Sequence, residues 1–259
     1  MSRKNADNKG QIHFAFQINL VVVILSLLIP FFQPFYFEGN ILNLLALTLI
    51  CGMFGSGFYL ASFTAQKYVE AGVSAIVGNI YTPVTIILAI IFLNEGLTIK
   101  QIIGTILLLA GIVLVSKKHQ ISKFKFDKYF LLMLLGGVML GISLTAGRVL
   151  QKTTGFTAAT MLSWWAQFVF LGIATWITKN KSKYSKKDIL ITGTLRFLQT
   201  LSWVILTFVV GNLSIVSSIT TFKVVIIFVA AVIFLKERED LPRKISGSLI
   251  ALLGLLLMN

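Results

Sequence analysis

Nine stretches of the chain stay apolar for about the length of a membrane-crossing helix, with short polar segments between them. They run over 13–36, 41–65, 73–93, 98–116, 128–150, 156–178, 188–210, 213–235 and 241–258. A helix needs roughly 20 mostly apolar residues to cross the hydrocarbon core of a bilayer. Apolar residues follow one another without the alternation of a barrel strand, so each stretch predicts a helix. Thr98 to Gln101 reads as a capping box opening the fourth stretch. Asp240 followed by Pro242 reads as an N-cap with proline in the first turn of the ninth. Gly39, Gly72, Gly96, Gly155 and Gly211 fall at or near the joints. No joint exceeds about a dozen residues, which leaves no room for a soluble domain. The first stretch is too long for the apolar part of a signal peptide and lacks a small-residue cleavage site.

Composition excludes the soluble alternative. Hydrophobic residues make up 56% of the chain and charged residues 12%. A soluble domain carries about 25% charged residues, so this chain cannot cover its surface in water. One Cys excludes a disulfide framework and a Cys-based metal site, and two His so far apart as His13 and His119 argue against a His-rich one. No metal and no cofactor is expected. The formal charge of +14 would suit a nucleic-acid partner, so its placement decides. With the predicted spans, 18 of the 23 Lys and Arg fall on the side of the N-terminus, in clusters such as Lys117–Lys128, Lys179–Lys187 and Lys236–Lys244. Lys100, Arg148 and Lys152 lie on the other side, and Arg196 and Lys223 lie inside spans. Basic loops stay cytoplasmic, which predicts an N-terminus inside and, for an odd span count, a C-terminus outside. The basic residues then face anionic lipid headgroups, and no folded basic surface remains for nucleic acid.

The chain repeats itself. Gly72 to Glu95 and Ser214 to Glu237 share their endings at an offset of 142: Ala89/Ala231, Ile91/Ile233, Phe92/Phe234, Leu93/Leu235 and Glu95/Glu237. Gly104/Gly247 and Gly111/Gly254 then align at an offset of 143, and Gln17 and Gln167 sit near the starts of stretches one and six. Stretches one to four thus match six to nine, five spans apart, so equivalent helices cross in opposite senses. Such inverted repeats are a common way to build alternating-access transporters.

Leu-x-Glu, then nine or ten residues to Gly, then Gly seven later, present twice, resembles the drug/metabolite transporter superfamily and its EamA-like proteins. Pro83, twelve residues before Glu95, matches that family's proline; Val225 takes its place in the second copy. The resemblance implies an all-α integral membrane protein of two inverted repeats around a central cavity, here 1–116 and 117–259. It also implies ten spans. The chain shows about nine, the first repeat lacking its first span.

An ionisable residue at mid-bilayer is a functional candidate by default. Lys223 lies ten residues into the eighth stretch, about 15 Å along a helix and so near the midplane. It reads as a partner for an anionic group on a solute, or as a lysine held by backbone carbonyls, by water or in neutral form. Tyr81 occupies its place in the first repeat. Asn79 and Thr82 cluster with Tyr81, with Thr220 and Thr221 opposite in the second repeat; Trp164, Trp165 and Gln167 open the sixth stretch. Gln199 and Trp203 share a helix face, and Ser56 and Tyr59 lie in the second stretch. Each of these also fits helix packing or an interfacial belt. Arg196 reads as snorkelling, Arg148 as an interfacial anchor, and Glu95 and Glu237 as helix ends suited to a dipole. Gly137-Val-Met-Leu-Gly141 and Gly52-Met-Phe-Gly55-Ser-Gly57 are close-packing signals rather than phosphate loops.

No acid–base or nucleophile pair for catalysis is visible, so a non-enzymatic protein is expected. The reading is a secondary transporter of a small-molecule substrate, exporting metabolites or drugs across a bacterial plasma membrane. Positive charge at depth favours solutes with an anionic group. Efflux of cationic or neutral drugs, or a subunit that needs a partner, stay open as alternatives, as does the oligomeric state.

Overall fold

The computed structural model describes residues 10–35, 39–66, 68–94, 98–115, 120–122, 125–179, 181, 184–213, 216, 220, 227, 230, 233–234 and 241–257. The helices are α1 (Gln11–Ser26), α2 (Ile41–Ala65), α3 (Ala71–Gly78), α4 (Tyr81–Leu93), α5 (Ile99–Val115), α6 (Lys128–Thr154), α7 (Phe156–Thr178), α8 (Lys186–Val210) and α9 (Leu241–Leu257). A short antiparallel pairing, β1 (Gln120–Ser122) with β2 (Lys125–Phe126), precedes α6. Six helical segments of the described residues are long and apolar enough to cross a membrane: Gln11–Phe31, Ile41–Ala65, Ala71–Leu93, Lys128–Thr154, Phe156–Thr178 and Lys186–Val210. At 17 residues each, α5 and α9 span about 25 Å, slightly less than the hydrocarbon core. Most of the expected stretch 213–235 lies outside the described residues.

Local chemistry sets the helix ends. Asn40 Oδ1 accepts from Leu42 N at the start of α2, and Asp127 Oδ1 accepts from both Tyr129 N and Phe130 N at the start of α6. Ser185 and Asp188 form a reciprocal cap on α8: Ser185 Oγ accepts from Asp188 N and donates to Asp188 Oδ2. Each cap answers first-turn amides that lipid could not. α8 ends at Gly211, whose φ of +76° suits a residue without a Cβ.

The chain divides into two compact units, each drawn from both halves of the sequence. The first comprises Met1–Thr64 and Ile142–Gly211, the second Ala65–Gly141 and Asn212–Asn259. In the first, α1 packs against α7 and α8 around Val22, Ile29, Phe156, Trp164 and Phe197. Gly193 lets α8 approach α1 at Val21, and Gly52 lets α2 approach α7 at Ala166. In the second, Val73, Ile76 and Val77 of α3 pack with Leu108, Ile112, Phe130, Ala251 and Leu255. Leu195, Val209 and Leu249 are among the exposed apolar side chains, as lipid-facing residues should be.

The tightest joint of the second unit is the α5–α9 crossing. A Cβ at Gly111 would stand 2.6 Å from both the Gly247 carbonyl oxygen and Ala251 Cβ. A Cβ at Gly254 would stand 2.5 Å from the Gly104 carbonyl oxygen and 2.6 Å from Leu108 N. At the offset of 143, Gly104, Leu108 and Gly111 become Gly247, Ala251 and Gly254, so the two sets of contacts exchange into each other. The helices run antiparallel and are related by a local two-fold axis. Between apolar helices in lipid, such close backbone approach supplies the dispersion energy that burial supplies in water.

This crossing predicts a sharp contrast. Gly111→Val and Gly254→Val should each cost about 2 kcal/mol, because the obstructing atoms include backbone that cannot turn aside. Gly147→Ala, whose Cβ meets Cys51 Sγ at an ordinary 3.8 Å, should be near neutral. Thermal unfolding of the purified variants in detergent checks both.

Candidate functional site

The span expected as one helix over 73–93 is broken. α3 stops at Gly78, Asn79 and Ile80 form a turn, and α4 starts at Tyr81. Pro83 supplies the reason. It has no N–H to donate to the Asn79 carbonyl four residues back, and its ring crowds that oxygen. The ladder tightens to i→i−3 instead: Asn79 N donates to Ile76 O (3.1 Å), Ile80 N to Val77 O (3.1 Å) and Thr82 N to Asn79 O (2.9 Å). The Ala75 carbonyl, deprived of the Asn79 amide, accepts from the Asn79 side-chain Nδ2. One residue thus turns the chain and repairs the carbonyl that the turn exposes. α6 seats the break through its glycines. A Cβ at Gly137 would collide with Ile80 and lie 2.9 Å from the Gly78 carbonyl oxygen; one at Gly141 would lie 3.1 Å from the Tyr81 carbonyl oxygen. No described residue comes within 4 Å of where a Cβ at Gly78 would stand.

The break gathers the polar residues singled out on this span. Asn79 and Thr82 are buried at 2% and 0% exposure, and neither Asn79 Oδ1 nor Thr82 Oγ1 has a partner among the described residues. Tyr81, also buried, shares a hydrogen bond of 3.2 Å between its Oη and Thr220 Oγ1. Residues from the two halves of the sequence therefore meet in this unit; the repeat alignment pairs Tyr81 with Lys223, three residues beyond Thr220. Lys223, Thr221, Glu95 and Glu237 lie outside the described residues.

The remaining candidates lie in the first unit. Trp164 is packed in its core, edge-on to Phe197 at 5.9 Å, rather than lining a free wall. Trp165 Nε1 donates to Ser26 Oγ (3.0 Å), Ser56 Oγ donates to the Met53 carbonyl, and the Gln167 side chain fills the space that Gly55 leaves. Trp203 is half-buried on α8, and Gln199 is exposed. Arg196 is not a lone snorkelling cation. Its Nε donates to Tyr59 Oη (2.7 Å), its Nη1 to Gln199 Oε1 (2.8 Å), and its guanidinium lies 5.1 Å from the Tyr59 ring centroid. The sequence held the i, i+3 relation of Arg196 to Gln199 but no sign of Tyr59, which arrives from α2. An open recess of about 220 Å³ at Gly39, Asn40, Asn43, Leu44, Thr153 and Thr154 contains none of the candidates.

Comparison with known proteins follows this geometry. The sequence profile of the EamA-like transporter family matches residues 1–117 and 127–259. The chain belongs to the EamA-like transporter family, within the drug/metabolite transporter superfamily. That membership implies a multi-pass membrane transporter. A solved crystal structure whose description names no function superposes with a TM-score of 0.64 at 11% identity, over 95% of this chain and 90% of that one. At that identity it supports the fold alone. No curated protein matches.

Two buried cations of this EamA-like chain have settled roles. Arg148, expected at the interface, is 7% exposed; its Nη2 donates to the Gly211 carbonyl (2.7 Å) and its Nη1 to Gln151 Oε1. A cation at the C-terminus of α8 complements the helix dipole. Lys244, four residues into α9, forms an ion pair with Glu70 at the start of α3, and both side chains are largely buried. Sequence spacing gave no hint of that pair, since each residue alone reads as a charged helix end. Lys244→Met should destabilise by about 3 kcal/mol by stranding the carboxylate, and Glu70→Gln in the same chain should restore much of the loss. A double-mutant cycle of unfolding in detergent measures the coupling.

Proposed function

We propose that this protein is a secondary transporter that exports small organic metabolites or drugs across the plasma membrane of a bacterium by alternating access. The broken α3–α4 span supports this reading most. Interrupted helices expose backbone and polar side chains where a solute can meet them, at the interface of transporter repeats. Here the break carries buried polar atoms without partners among the described residues, beside a hydrogen bond between Tyr81 and Thr220. A purely structural kink would gain nothing from leaving them unmet.

The architecture that suits this role has nine spans in two inverted repeats, 1–116 and 117–259, the first lacking one span. The exchange of contacts at the α5–α9 crossing is what an inverted repeat requires of its fourth and ninth spans. The solute pocket in this reading is formed by Asn79, Tyr81, Thr82, Thr220 and Lys223. Lys223 meets an anionic group on the solute. The N-terminus and the basic loops face the cytoplasm.

Counterflow by the purified protein in liposomes, with a panel of anionic, neutral and cationic solutes, tests transport itself. Accumulation of at least one class is expected; none would remove the transporter reading. Lys223→Ala should depress anionic solutes about tenfold more than neutral ones, the scale of a hydrogen bond to a charged group; equal loss would remove charge recognition. An impermeant thiol reagent added to whole cells should fail to label cysteines placed in the Lys179–Lys187 loop. Labelling there would reverse the orientation.

A further inference from the structure

We propose that Asn79 fixes the polarity of the α3–α4 site, so that it selects solutes presenting a hydrogen-bond donor. The inference rests on the transporter reading and names what its site accepts. The Asn79 side chain donates through Nδ2 to the Ala75 carbonyl. A carbonyl only accepts, so the amide has one permitted orientation there and its NH₂ is committed. What remains is Oδ1, an acceptor, in a residue 2% exposed and with no partner for that atom among the described residues. Three positions on, Thr82 Oγ1 is buried and equally unmet. At the preceding residue, Gly78, no described residue comes within 4 Å of where a Cβ would stand. Ser74 Oγ, on the same interrupted span, is a third buried hydroxyl without a partner among the described residues.

Asn79 Oδ1 can only accept and so discriminates by donors, and the neighbouring hydroxyls can turn to accept from the same donor. An N–H or O–H group replaces water at Oδ1 without loss, whereas an apolar or acceptor-only group strands a buried oxygen. The preference is for donation rather than for positive charge, and this sets it apart from a cation site. It acts at a different atom from the anion recognition assigned to Lys223, so a solute can satisfy both.

The test separates donation from charge. Thermal stabilisation of the purified protein in detergent reports binding of phenethylammonium, of its N,N,N-trimethyl analogue, which keeps the charge but has no N–H, and of phenylpropionate. The primary ammonium should bind at least about tenfold more tightly than the trimethyl form. Asn79→Leu and Thr82→Val should each shrink that ratio towards one. Equal binding of the two cations by the native protein, no binding of any probe, or an unchanged ratio in both variants would overturn the proposal. If Asn79→Leu loses its monodisperse folded peak, Thr82→Val, which keeps the side-chain volume, decides by the same ratio. Failure of the transporter reading appears separately, as absent counterflow for every solute while this binding ratio stays readable.

Discussion

Lipid offers no hydrogen bonds, and this constraint governs the molecule. Every backbone amide and carbonyl inside the bilayer must be answered by the protein or by water that the protein encloses. An unbroken helix answers its own. A broken one survives only where side chains and tightened turns take over, and α3–α4 shows how that is done. Pro83 removes a donor, the turn shifts to i→i−3 bonds, and the Asn79 side chain takes the Ala75 carbonyl. Gly137 and Gly141 then let α6 lie against the interrupted backbone. The repair leaves Asn79 Oδ1 and Thr82 Oγ1 without a partner among the described residues.

The same constraint explains the glycine joints. With no hydrophobic effect to press helices together, cohesion depends on how closely backbones approach. The α5–α9 crossing achieves this twice with equivalent residues, so one structural solution serves both halves of the chain. Charge is handled with equal economy. Arg148 is placed on a helix-end carbonyl, Lys244 on Glu70, and Arg196 on Tyr59 and Gln199. Each of these three described cations thus has a partner close at hand.

Much of the fold was legible in the pattern of apolar residues. The stretches 41–65 and 156–178 coincide with α2 and α7, because long apolar runs bounded by turn residues have few alternatives in a membrane. The family was legible from Leu-x-Glu and the glycine spacing. The break after Gly78 was not, since the run stays apolar through it and a proline in the first turn of a helix resembles one that kinks it. Yet the residues brought together there, Asn79, Tyr81, Thr82 and Thr220, were all visible as polar positions within the two repeated stretches. A large aromatic residue such as Trp164 looks the same from sequence whether it packs a core, as it does against Phe197, or lines a void. For Arg148, proximity to a helix end says nothing of which carbonyl the guanidinium will find. Long-range pairs such as Glu70 with Lys244 depend on three-dimensional closure and leave no trace in local spacing.

Family membership, the interrupted span and the contact of Tyr81 with Thr220 are what support the proposed solute site at the α3–α4 break, which must be open to water. Cysteine labelling at Gly78 tests it most directly, because no described residue crowds the position and the native Cys51 is buried. In Gly78→Cys protein reconstituted in liposomes, a small water-soluble thiol reagent should label the new cysteine, and a transported solute should slow that labelling. A cysteine that never reacts, or reacts at the same rate with every transported solute present, would contradict the account.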